Sequence, residues 1–196
     1  VRVLRGKGRL LDKNSVEVNL NAGGIERINA DNIIIATGSR PSLPDLPGID
    51  LKGVITSDDI LNFTEIPKRL AIGGSGVIGI EFAYIFNSLG SEVSVISSTL
   101  LKSVDKDITK RLPSILKKQG IKLYDEMRVK EICKGENGLV IKIRDKKDST
   151  KEMEIEADYW LMASGREPVV DWLNLDEIGV EYDKNGILVD ENFETN

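Results

Sequence analysis

Leu70-Ala71-Ile72-Gly73-Gly74-Ser75-Gly76-Val77-Ile78-Gly79 decides how this chain folds. An apolar run enters a glycine-rich turn, and an apolar-periodic segment leaves it. A turn of this kind between a strand and a helix is how a backbone meets a pyrophosphate. Gly74 permits the tight turn, Gly76 leaves room for phosphate, and Gly79 lets the helix pack close to the strand. Glycine-rich turns are common, but the placement on strand–turn–helix points to a dinucleotide site. A packing turn without a ligand is the alternative, and it must account for three glycines at this spacing.

Working outward, the order is βαβαβ. A strand over 69–73 precedes a helix over 77–89, whose residues Ile78, Phe82, Ile85 and Leu89 share one face. Gly90 stops that helix. A second strand covers 92–96, a second helix 105–119 and a third strand 121–124. Pro113 predicts a kink or break in the second helix. The order then changes. Residues 127–133, 139–144 and 153–157 read as an antiparallel meander with turns at Gly135-Glu136-Asn137-Gly138 and Lys146-Lys147-Asp148-Ser149. A buried strand over 159–163 ends in Ser164-Gly165-Arg166-Glu167-Pro168.

Upstream, residues 1–4, 8–11, 16–20 and 32–36 read as strands, the last covered on both faces. Pro41, Pro44 and Pro47 suit an extended crossing between domains, and 54–56 reads as a short strand. Ser57 is the expected N-cap of a short helix. We therefore expect an α/β protein with a Rossmann-like βαβαβ core and a three-stranded antiparallel meander, flanked by β-rich segments. The expected boundaries are 1–48, 49–168 and 169–196. Val1 enters a strand already under way and Asn196 follows no helix or cap, so we expect a segment of a longer protein.

Composition narrows the function. A net charge of −5 with mixed signs argues against a nucleic-acid surface. No apolar run reaches membrane-spanning length, and no signal-peptide pattern opens the chain. With no histidine, the commonest general base and metal ligand are missing, which argues against metal catalysis and histidine-activated nucleophiles. The single cysteine, Cys133, cannot form an internal disulfide and reads as a small buried hydrophobe, in keeping with a reducing, cytoplasmic setting.

The chain resembles the FAD-dependent pyridine nucleotide–disulfide oxidoreductases. Ala36-Thr37-Gly38 after an apolar strand is similar to the family's first Ala-Thr-Gly element. The glycine motif extends to Gly79-Ile80-Glu81, a meander replaces a helical crossover, and Ala163-Ser164-Gly165-Arg166-Glu167-Pro168 is similar to the Gly-Arg-x-Pro turn. The tail from Gly186 to Asn196 resembles the segment before the second flavin motif. Among subgroups, residues 70–82 look most like dihydrolipoamide dehydrogenase. The resemblance implies a nicotinamide-binding domain flanked by pieces of an FAD domain. The FAD fingerprint and redox cysteine pair would precede Val1, and the remaining flavin contacts and a dimerisation domain would follow Asn196. FAD is thus expected in the intact, homodimeric protein and not in this chain, which we expect to be catalytically silent. Relatives such as NADH oxidases and mercuric, glutathione or coenzyme A disulfide reductases remain alternatives, as does a non-catalytic nucleotide-binding module.

The resemblance also suggests residue roles. Gly74, Ser75, Gly76 and Gly79 would hold the pyrophosphate, with Val77 and Ile78 near the nicotinamide; a core role at a helix start serves Ile78 equally well. Glu81 would accept from the carboxamide, or is simply a first-turn acid favoured by the helix dipole. Val129 would lie against the adenine, or is an ordinary strand valine. Gly165 and Arg166 would shape the loop beside the cofactor, or form a structural turn. The departure is at Ser97. An acid is expected roughly 20 residues beyond the glycines to bind the ribose 2′-hydroxyl of NAD, yet Ser97, Ser98 and Thr99 stand there, with Lys102 the nearest cation in sequence. NAD is the family expectation, and NADP stays open.

Overall fold

The computed structural model describes residues 1–102 and 104–196. Two units emerge, Pro41–Gly165 and one assembled from Val1–Arg40 with Arg166–Asn196. The two-ended unit begins with β1 (Gly6–Asp12), β2 (Ser15–Leu20) and β3 (Ile25–Asn29), an antiparallel meander. Asp12 accepts from the Asn14 N–H at 2.7 Å and the Ser15 hydroxyl at 2.6 Å, which fixes the first turn. Arg9, Glu17 and Arg27 sit side by side across the three strands. Glu17 is buried, and both guanidiniums donate to its carboxylate, at 2.9 and 3.1 Å. The Arg9 hydrogen bond outweighs burial and holds that carboxyl below its ordinary pKa.

Two expected strands are not formed here. Residues 1–4 pair with nothing as a ladder, and 32–36 run as irregular chain. In the latter, Ile33 and Ile35 pack on Leu10, Leu173 and Leu175, whereas Ile34 is 91% exposed. Alternate side chains are buried, not both faces, and no neighbouring strand accepts the backbone. β4 (Ser39–Pro41) follows.

The central unit opens with β5 (Val54–Thr56) and α1 (Ser57–Ile60). The N-cap is Thr56, one residue before the expected Ser57. Thr56 has an acid three positions on, so Asp59 N–H donates to the Thr56 hydroxyl while the Asp59 carboxylate accepts from Thr56 N–H at 2.8 Å. Next come β6 (Arg69–Gly73), α2 (Val77–Ser88), β7 (Glu92–Ile96), α3 (Lys106–Lys118) and β8 (Lys122–Tyr124). The meander is β9 (Met127–Gly135), β10 (Gly138–Asp145) and β11 (Glu152–Ala157), and β12 (Tyr159–Met162) returns to the first sheet. Its order is β5-β12-β6-β7-β8, all parallel. β13 (Arg166–Pro168), α4 (Leu175–Ile178), β14 (Tyr182–Asp183) and β15 (Gly186–Ile187) complete the chain, with β13 paired to β4.

Covering both faces of a parallel sheet demands near-continuous apolar strands. Leu70, Ile72, Val93, Val95 and Leu161 face the helices, with Phe86 and Leu116. Ala71, Ile96, Trp160 and Met162 face the meander, with Ile141 and Ile143. The buried stripe of α2 is Gly79, Ala83 and Phe86, not the expected row; Ile85 and Leu89 are exposed and Ile78 and Phe82 half-buried. The small residues bring the helix axis close to the sheet, and the larger ones flank the contact. Past the end of α2, Gly90 N–H donates to Asn87 and Ser91 N–H to Phe86, a Schellman stop. α3 continues through Pro113, because Leu112 before it and Leu116 after it both pack on the helix-side core. Cys133 is half-buried on β9 instead of fully buried. No helix among the described residues is long and apolar enough to cross a membrane.

Candidate functional site

At the C-terminal end of β6 each glycine of the turn has its own physical reason. A Cβ on Gly73 would come within 2.1 Å of the Trp160 indole. Gly74 has φ of +118°, and a Cβ there would lie 2.3 Å from the Ala163 carbonyl oxygen. Its N–H donates to Ile96 O at 2.9 Å, tying the turn to β7. Ser75 is buried; its hydroxyl donates to Thr99 O at 3.2 Å, and its carbonyl accepts from Leu101 N–H at 3.2 Å. A Cβ on Gly79 would stand 2.2 Å from Gly74 O. Gly76 differs, because no protein atom lies within 4 Å of where its Cβ would be. Protein packing explains Gly74 and Gly79; it does not explain Gly76.

The first bond of α2 runs from Ile80 N–H to Gly76 O at 3.1 Å. The N–H groups of Val77, Ile78 and Gly79 precede it, without a capping side chain and without an acid in the first turn. Such donors, at the positive end of the helix dipole, suit an anion.

Beside them, β7 is followed by Ser97, which is 8% exposed. Its N–H donates to Tyr124 O at 3.0 Å, its hydroxyl to Asp125 at 3.1 Å, and its carbonyl accepts from Met127 N–H at 2.9 Å. Ser98 and Thr99 are exposed. Lys146, which the sequence reading assigned only to a turn, reaches this edge: its ammonium donates to Ser98 O at 3.3 Å and lies 3.5 Å from the Thr99 hydroxyl. Its backbone N–H donates to Glu126 O at 2.7 Å. Asp145 braces the same turn by accepting from the N–H groups of Lys147 and Asp148, which lowers its pKa.

The structure thus gathers Gly74–Gly79, Ser97 and Ser98 at one sheet edge, with Gly165 close by in chain after Ala163, whose N–H donates to Gly73 O. The surroundings of the remaining expected residues are as follows. Val129 packs in the core under the meander. Glu81 is exposed and lines a groove with Tyr84, Leu112 and Leu116 between α2 and α3. Arg166 belongs to the two-ended unit, where its guanidinium donates to the Ser39 hydroxyl at 2.8 Å and the Ser39 carbonyl at 2.7 Å. No group of three or more His, Cys, Asp or Glu among the described residues is placed to hold a metal.

The family described as pyridine nucleotide-disulphide oxidoreductase matches residues 1–196. The chain belongs to that family. It is 37% identical over 201 residues to a dihydrolipoamide dehydrogenase of Chaetomium thermophilum, covering 100% of this chain and 39% of that protein. It is 35% identical over 196 residues to a mercuric reductase of Bacillus cereus, covering 98% of this chain and 30% of that one. Among solved structures, the HOCl-induced flavoprotein disulfide reductase RclA from Escherichia coli superposes with a TM-score of 0.86 at 30% identity, over 99% of this chain and 43% of RclA. The chain therefore spans well under half the length of these relatives.

Proposed function

We propose that Pro41–Gly165 holds a pyridine dinucleotide for a flavin-dependent disulfide oxidoreductase, and that the dithiol served is dihydrolipoamide. The observation that carries the nucleotide reading is Gly76. It leaves an open space facing helix donors that no side chain satisfies. The Val77, Ile78 and Gly79 N–H groups would hold the dinucleotide's diphosphate, and the helix dipole would add a favourable field. Gly74 and Gly79 keep the turn tight enough for that approach. Ser98 offers an exposed hydroxyl to the adenosine ribose, Ser97, whose hydroxyl donates to Asp125, would only accept there, and Glu81 is the acceptor available for the carboxamide.

The N-terminus of α3 does not fit a flavin diphosphate as well. The other long helix, α3, is capped by Asp105, which accepts from Asp107 N–H, and Asp107 adds a second negative charge. That end repels phosphate. We therefore assign FAD to the whole protein and read the two-ended unit as part of its flavin-side structure. When bound, the dinucleotide supplies hydride chemistry, and this chain's share is binding and orientation.

The dihydrolipoamide reading draws on the relative from Chaetomium. The nearly equal identity to a mercuric reductase supports a second reading with another acceptor. Calorimetric titration of the 196-residue chain with NADH tests the site; we expect saturable binding, and none would refute it. A lipoamide assay on the same chain should show no turnover, and substantial turnover would overturn the proposed division of labour.

A further inference from the structure

The adenosine end of the site carries an arrangement that a simple NAD site does not need. Where an acid is expected at the end of β7 stands Ser97, whose hydroxyl is turned to Asp125. The exposed residues that follow, Ser98 and Thr99, carry no charge, and the ammonium of Lys146 rests on them. Lys146 is not a stray surface side chain. Its backbone is pinned to Glu126, and Asp145 fixes the turn from which it projects. The neighbouring Lys147 is already paired, with Glu126 at 2.7 Å. Asp125 is the opposing charge at this edge; it faces Ser97 from the end of β8.

Resting on the nucleotide reading above, we infer that Lys146 reads the 2′ position of the adenosine ribose, so that the site accepts NADPH at least as well as NADH. A carboxylate at position 97 would repel a 2′-phosphate. Serine removes that repulsion, its own hydroxyl being held by Asp125. The ammonium supplies a point charge that three phosphate oxygens can share. Lys146 reaches the edge from the β10–β11 turn, a source outside the βαβ unit that ordinarily sets this choice.

The test is calorimetry on the whole 196-residue chain with NADH and NADPH in parallel, at low and high salt. For the unaltered chain, the NADPH Kd should equal or fall below the NADH Kd, with the steeper salt dependence for NADPH. Lys146→Gln should raise the NADPH Kd about five- to tenfold, the scale of an exposed charge pair strengthened by a doubly charged partner, and leave NADH within about twofold. Ser97→Glu should weaken NADPH more than NADH. A preference for NADH above tenfold, or an equal loss of both ligands in Lys146→Gln, would overturn the inference while leaving the dinucleotide site standing. Failure of the unaltered chain to bind either ligand would overturn both.

Discussion

Gly76 and Gly79 separate a residue needed by the ligand from one needed by the fold. Gly76 has φ of −69° and ψ of −177°, which alanine adopts without strain, and its Cβ would meet nothing. The entropy gained from a stiffer unfolded chain offsets the poorer cap, so Gly76→Ala should leave stability within about 0.5 kcal/mol. Its methyl would occupy the space proposed for phosphate, and dinucleotide affinity should fall at least about tenfold, or 1.4 kcal/mol. Gly79→Ala drives a methyl onto the Gly74 carbonyl and should cost roughly 1–3 kcal/mol of stability. Urea unfolding and titration of both variants measure the two effects separately. Gly74 and Gly79 were legible in the sequence because close backbone approach and, at Gly74, a positive φ restrict a position to one residue type. Lys146 was not, because it meets Ser98 across 48 positions and nothing in a turn sequence says where a lysine will reach.

At the scale of elements, α2 and its flanking strands were legible because their signals are local: an apolar run, a glycine turn and a Schellman stop. Its buried face was not, since reading by hydrophobicity favours Ile85 and Leu89 over Gly79 and Ala83, while close packing favours the small ones. Residues 32–36 misled for a related reason, because an apolar run makes a strand only beside a partner. The opposite end of β6 holds a clamp that the sequence also hid. Arg69 donates to Asp158 at 2.9 and 3.1 Å, to Glu156 at 2.7 Å and to Asn137 O at 2.7 Å, and Asp158 accepts from Arg69 N–H at 2.9 Å. Burial pushes the Asp158 carboxyl up, but the Arg69 N–H and guanidinium outweigh it and hold it below its ordinary value. A carboxyl depressed in the folded state stabilises above its unfolded pKa and loses that contribution as pH falls through the folded value. Arg69→Ala should therefore cost about 1–3 kcal/mol at pH 7. The gap from the parent chain should hold down to about pH 5 and narrow below pH 4, as acid titration of both chains would record.

For the whole molecule, the two tryptophans give one reporter to each unit: Trp160 lies in the central core, and Trp172 packs on the Leu10 cluster beneath the Lys7 ammonium. Trp160→Phe and Trp172→Phe leave single probes. A dinucleotide held by the central unit at 100 times its Kd should stabilise the transition reported by Trp160 by about 2.7 kcal/mol and move the Trp172 signal less. Equal shifts would mean that the units unfold as one. The two-ended unit also has a history in time. Leu10 bonds through its backbone N–H to Leu173 O, and its carbonyl accepts from the Asn174 amide. During synthesis the first meander must wait while residues 41–165 emerge, on the order of ten seconds at about 5–20 residues per second. Until then Leu10 and Val16 have only Ile33 and Ile35 and lack Leu173 and Leu175, so a nascent chain stalled before residue 173 is the species in which chaperones that grip apolar surface should hold on.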